Sequence, residues 1–351
     1  MSSAISDTSA SRGRRAAWNF LRAGVGFLLA GWLIRSVIRS SGVNLVALYR
    51  ACNPWWLVAA QLCYAAGYPL LVWRWRRLLS VAGVHLSWRM TFRLVMIAGF
   101  FNMFVPGALG GDLAKASVLA RETPGRRVES LLTIFVDRLL GVLGLVVLTA
   151  ISMVCGIGFL NHADPRLRLA ALVFGVTVFA VVAAVVAVAF RGRLGRIVWI
   201  RGGVQACLRV TPPRVRAVVY RVTGALDAYR ECPSVLMWGT AVSVVIHLLA
   251  TATVLCLARA VGEHHLSVVE YLVAVQMANA AGALPLTPGG LGGRDVVMLL
   301  VFVAAGASRA LSGAIPVLYS ANIAVWSLLG GVVFVFDPVR AEMREASSAG
   351  E

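Results

Sequence analysis

The residues able to do chemistry are easy to find, because so few carry a charge. Two stretches repeat one pattern with charges directly behind it: "PGALGGDLAK", Pro106 to Lys115, and "PGGLGGRD", Pro288 to Asp295. Aligned without gaps, Pro106, Gly107, Leu109, Gly110 and Gly111 fall on Pro288, Gly289, Leu291, Gly292 and Gly293, and Gly290 sits within the second copy. The next position is Asp112 in one copy and Arg294 in the other. A third stretch, "TIFVDRLLG", sets Asp137 and Arg138 side by side in an apolar run. A lone charge at such depth costs roughly 2.5–3.5 kcal/mol on insertion scales, so each needs a partner or water. Neighbours on a helix point about 100° apart, so Asp137 and Arg138 pair poorly with each other. The partners expected are Asp112 for Arg138, and Asp137 or Asp295 for Arg294. Opposite charges at Asp112 and Arg294 also suggest a meeting of the two copies near mid-membrane.

This set suits binding of an anion better than bond making. A Pro-Gly break ends one helix, and the next begins with free N–H groups whose dipole favours negative charge. Asn102 lies four residues before Pro106, where the first helix must end. Gln276, Asn279 and Asn322 are intramembrane amides that read as interhelical hydrogen bonds. His247 reads as a packing histidine rather than a proton relay. The six cysteines read as scattered apolar residues, with no CxxC pair and no histidine at ligand spacing, so no metal or cofactor is expected.

The elements that must position these residues are membrane helices. The 351-residue chain is 59% apolar and 14% charged, with mean hydropathy +0.81, which places it among polytopic all-α membrane proteins. Six segments are long enough to span: 19–38, 54–73, 128–154, 169–190, 234–258 and 311–336. Residues 91–120 and 268–307 instead carry the Pro-Gly breaks at their middles.

Charge sets the topology. With the N-terminal Arg12, Arg14 and Arg15 in the cytoplasm, the loops carrying Arg74, Arg76 and Arg77, Arg121 to Arg127, the stretch 191–230, and Arg340 and Arg344 share that side. The assignment requires each broken segment to enter and leave on one face, the two from opposite faces. Broken helices at matching places of two inverted halves point to a substrate site near the midplane. The expected organisation is a basic tail (1–17), a single domain (18–340) of two halves, 18–190 and 234–340, and a C-terminal tail (341–351). An amphipathic interfacial segment, 191–233, joins the halves, its Val215, Val219, Val222 and Leu226 at helical spacing among arginines. The net charge of +18, from 33 basic residues of which only Lys115 is a lysine, fits cytoplasmic loops and anionic lipid rather than nucleic acid.

An asparagine, "PG-x-LG" with an acidic and a basic residue, "DRLLG" and "TPGGLGGRD", in this order, resemble the transmembrane domain of lysylphosphatidylglycerol synthases, and more closely its stand-alone flippase-like relatives. The resemblance covers about residues 15–340. It implies movement of a phospholipid or lipid-linked headgroup between leaflets. Asn102, Pro106, Gly107, Gly110, Asp112, Lys115, Asp137, Arg138, Pro288, Gly289, Gly290, Gly292 and Asp295 are the positions it implicates. Arg294 joins them on charge. Where the family often carries glutamate, this chain has Asp112 and Asp295. The soluble aminoacyl-transferase domain of the full synthases is absent, so lipid aminoacylation is not expected of this chain.

The expectation is therefore a non-enzymatic flippase or scramblase of an anionic phospholipid in a bacterial inner membrane, both termini cytoplasmic. A secondary transporter of a small anion, driven by protons through Asp137 or Asp112, is the alternative, as is a non-catalytic partner of a lipid synthase. The sequence leaves the oligomeric state open, a homodimer included.

Overall fold

The computed structural model describes residues 49–103, 109–123, 126–162, 231–283 and 292–336, with isolated positions between them. The expected span 19–38, most of 169–190, nearly all of 191–233, and Pro106, Gly107, Pro288 and Gly289 lie outside the described residues. What is described is helical, and no strand occurs among these residues.

Among the described residues, four helices are long and apolar enough to cross a membrane. They are α1 (Pro54–Val81), α4 (Arg127–Cys155), α6 (Pro233–Ala260) and α9 (Arg309–Val335), each extending past the span read from the sequence. The chain is an all-α polytopic membrane protein. Between the long helices lie two pairs of shorter ones: α2 (Trp88–Asn102) with α3 (Leu109–Glu122), and α7 (Val268–Ala283) with α8 (Gly293–Ala304). A short α5 (Ile157–His162) follows α4. At 1.5 Å per residue the paired helices are about 18–24 Å long, short of a hydrocarbon core about 30 Å thick.

Local chemistry sets the helix starts. Asn53 accepts from Trp55 N ahead of Pro54, Ser87 accepts from Met90 N, and Ser308 accepts from Leu311 N. Helix α7 opens with a reciprocal cap, Ser267 N donating to Glu270 and Glu270 N to Ser267 Oγ. At α8 the cap is one-sided: Gly292 has no side chain to offer, but its own N–H donates to Asp295 Oδ2 at 3.1 Å.

The packing interleaves the two halves. Helix α1 packs chiefly on α6, α2 on α9, and α4 on both α6 and α7. Small residues allow the closest approaches: a Cβ on Gly144 of α4 would stand 2.3 Å from Ser243 Cβ of α6, and one on Gly330 of α9 only 2.1 Å from Met96 O of α2. Such contacts leave dispersion to hold the helices, since lipid supplies no hydrophobic drive between them. An aromatic layer of Tyr64, Tyr68, Phe92 and Trp326 fills the space between α1, α2 and α9, and Trp326 Nε1 donates to Gln61 Oε1 at 2.8 Å. Cys256 of α6 sits in a core cluster against which Cys63 of α1 packs.

One sequence expectation needs correcting here. Arg74, assigned to a cytoplasmic loop, lies inside α1 and is 5% exposed. Its charge is tolerated there because Asp137 and Ser243 meet it in the core.

Candidate functional site

The first break is closed by its asparagine. Asn102, in the last turn of α2, accepts from Gly111 N of α3 through Oδ1 at 2.8 Å. Only glycine fits at 111, because a Cβ there would come within 2.5 Å of Ala98 O and 2.6 Å of the asparagine oxygen. Gly110 is buried beside it.

Helix α3 then presents two charges to α4, in two crossed pairs. Arg138 Nη2 meets Asp112 Oδ2 at 2.6 Å, with both side chains partly exposed. One turn further in, Lys115 Nζ lies 3.6 Å from Asp137 Oδ2 and 4.3 Å from the centre of the Trp75 ring. Arg74 Nε donates to the other oxygen, Asp137 Oδ1, at 2.8 Å, and Arg74 Nη1 donates to Ser243 Oγ at 2.6 Å. Trp75 is fixed in turn by its indole N–H to Thr133 Oγ1 at 3.2 Å. Three cations thus share two carboxylates. Arg74 and Asp137 make the close, hydrogen-bonded pair, which leaves the Lys115 ammonium with one long ionic contact and one ring face. A buried cation so lightly compensated favours an added anion.

The expected Asp112–Arg138 pair is present, and Arg294 has the second of its two expected partners. Arg294 is 6% exposed; its Nε stands 3.5 Å from Asp295 Oδ1 without hydrogen-bond geometry, and its Nη2 donates to Ser320 Oγ at 2.7 Å. Ser320 Oγ donates in turn to Asp295 Oδ1 at 2.7 Å, and the guanidinium carbon sits 4.9 Å above the Tyr319 ring centre. No ion pair joins Asp112 to Arg294 among the described residues: each is engaged within its own half. Tight packing at the second break falls on Gly290, with φ +71°, whose Cβ would touch Gly282 at 3.0 Å.

The intramembrane amides differ in their use. Gln276 Nε2 donates to Thr251 Oγ1 at 3.0 Å, joining α7 to α6 as expected, but its Oε1 has no partner. Asn322 is fully buried with neither amide atom bonded. A shallow cleft of about 750 Å³ lies elsewhere, at the Pro54 end of α1 and the Ala260 end of α6, and no residue of the charge cluster lines it. Among the described residues no group of three or more His, Cys, Asp or Glu is placed to hold a metal.

Outside the helices, one carboxylate is buried in the α6–α7 connection. Burial pushes Glu263 up, yet the Tyr271 hydroxyl, the N–H groups of Leu266 and His265, and the Arg259 charge together hold it below the usual glutamate value. Sequence reasoning missed both Arg74 and Glu263. Arg74 could have been sought as the counter-charge that Asp137 lacks within its own helix.

The chain is similar to a UPF0104 membrane protein of Methanothermobacter thermautotrophicus, with 25% identity over 277 residues covering 76% of this chain and 81% of the relative. The model of the lysylphosphatidylglycerol synthase TM region matches residues 19–331, which takes in both breaks and every residue of the charge cluster. The chain belongs to the lysylphosphatidylglycerol synthase TM region family.

Proposed function

We propose that this protein moves an anionic phospholipid or lipid-linked headgroup between leaflets, as a transporter rather than an enzyme. The observation that carries this reading is the charge excess at the first break: Arg74, Lys115 and Arg138 against Asp112 and Asp137, set in a core that lipid surrounds. A phosphodiester brings the one negative charge that this cluster lacks. Arg138 and Asp112 form its outer, partly exposed pair, where an entering phosphate would first compete for the guanidinium. Lys115 is the inner acceptor.

The two short-helix pairs fit re-entrant hairpins dipping from opposite faces, with α2–α3 entering from the cytoplasm. Backbone left unpaired at their tips would line the headgroup path, the one place where hydrocarbon depth tolerates it. The α1–α4–α6 packing, closed by glycine contacts, would form the fixed frame against which the hairpins move. The arginine distribution supports cytoplasmic termini and an inner-membrane location.

Reconstitution into liposomes holding fluorescent phospholipids tests the reading. Leaflet exchange is expected for phosphatidylglycerol and is expected to fall in Lys115→Ala. Exchange no faster than in empty vesicles, for every lipid class tried, would rule the reading out.

A further inference from the structure

A line of polar side chains crosses the core along α6. Ser243, His247 and Thr251 recur at i, i+4 and i+8 on one face, about 12 Å from end to end. At one end Ser243 accepts from Arg74, the residue that also holds Asp137. At the other, Thr251 accepts from Gln276 of α7, the helix that leads into the second break. The line therefore joins the charge cluster at the first break to the helix before the second.

His247 stands midway. Its Nε2 lies 3.2 Å from Gly141 O of α4. A carbonyl only accepts, so Nε2 carries a hydrogen and the lone pair of the neutral ring belongs to Nδ1. The Arg74 guanidinium lies near the same residue: a Cβ placed on Gly141 would be 3.9 Å from both Arg74 Nη1 and Nη2. Gly141 and Ser243, one turn before His247 on α6, thus place the imidazole and the guanidinium in one neighbourhood. The other charged groups near this point are Asp137 on α4 and, behind it, Lys115 on α3. Arg138 follows Asp137 on α4, and α7 and α9, the other helices packed on α6, carry only Glu270 and Arg309, both in their first turns.

These neighbours make proton binding at His247 depend on what occupies the cluster. With the cluster empty of ligand, a proton on Nδ1 adds positive charge beside Arg74 in a dry interior, where like charges repel strongly. An anion seated on Lys115, beside the Arg74–Asp137 pair, offsets that repulsion. Linkage is reciprocal, so the proton strengthens anion binding by the same factor. We propose that His247 is a proton-loading site, so that one proton travels with each phosphate-bearing anion. The idea rests on the anionic-headgroup reading above and adds its source of energy. The proton adds to the Nδ1 lone pair from water on the entry side and returns to water on the exit side, with no other bond changed. Proton and phosphodiester together carry no net charge.

Proteoliposomes containing a fluorescent phosphatidylglycerol give the test, through the ratio of exchange rates with and without an imposed difference of one pH unit. Strict one-to-one coupling allows up to about a tenfold bias per unit, abolished by a proton ionophore. In His247→Gln, which keeps an N–H for Gly141 O and cannot take up a proton, the ratio is expected to fall to one whatever the absolute rate. A measurement free of mutants accompanies it: titrating short-chain phosphatidylglycerol into weakly buffered, detergent-solubilised wild type should draw about one proton from solution per lipid bound. Exchange insensitive to the gradient, a full response in folded His247→Gln, or binding without proton uptake would each overturn the coupling and leave the transport reading intact. Absence of exchange for every lipid would remove both.

Discussion

The two helix breaks share a sequence pattern, yet they spend it differently. At the first, the charges reach outward: Asp112 and Lys115 of α3 bind Arg138 and Asp137 of α4, and Asp137 is held in turn by Arg74 of α1. At the second, Arg294 and Asp295 of α8 both meet Ser320 of α9, Arg294 also lies over Tyr319 of α9, and Asp295 alone takes the Gly292 N–H. The tight approach differs too. Gly111 is pressed onto α2, whereas Gly293, aligned with it, has open space where a Cβ would go. One motif has thus produced a break whose charges are paired across α1, α3 and α4 and a break whose charges meet a single neighbouring helix, α9.

Removing the carboxylate at the centre of each break tests this most severely. Asp137→Asn strands Arg74 and Lys115 in the core and should cost about 3–5 kcal/mol of stability. Asp295→Asn leaves Arg294 its Ser320 and Tyr319 contacts and should cost about 1–2 kcal/mol. Thermal unfolding in detergent, followed by tryptophan fluorescence, reads both, and equal losses would erase the distinction. The aligned glycines come next. Gly111→Ala forces a Cβ into Ala98 O and should destabilise by about 1–3 kcal/mol, while Gly293→Ala should be neutral or stabilise by up to about 1 kcal/mol.

The outer ion pair should show a smaller effect, because its side chains are partly exposed. In a double-mutant cycle, the exchange Asp112→Arg with Arg138→Asp should recover about 0.5–1 kcal/mol over the sum of the singles. An equal recovery from exchanging Asp112 with Arg294 would instead restore the direct contact between halves that the fold does not contain. The smallest effect lies away from both breaks. Glu263 is held below its ordinary value of about 4.3, so its contribution is present above that pH and is lost as acid carries it through the lower folded value. Wild-type stability should therefore decline more steeply below about pH 4 than that of Glu263→Gln.

Much of this was legible in the chain because membrane burial writes itself in long apolar runs and in the scarcity of charge. The four described spans, the two interruptions and the Asp112–Arg138 pair all follow from the cost of unpaired charge in hydrocarbon. Arg74 was misread because "WRWRR" has the look of a helix end meeting cytoplasm, and nothing local tells the first of its arginines from the next two. Its partners lie 63 and 169 residues away, a separation that periodicity does not report. The opposite error was to expect Asp112 and Arg294 to meet, which took alignment of the two copies as evidence of contact.

The long reach from Arg74 to Asp137 also bears on how the protein is made. Helix α1 enters the membrane before the residue that neutralises its buried arginine exists. At about 5–20 residues per second, the 63 positions between them take about 3–13 s to synthesise. Through that interval Arg74 must stay near the aqueous edge, within reach of water and lipid phosphate. It can sink only when α4 arrives with Asp137, and Ser243 secures it later still. A chain halted in between carries an unmatched cation at the bilayer edge, a mark by which unfinished copies can be told from finished ones.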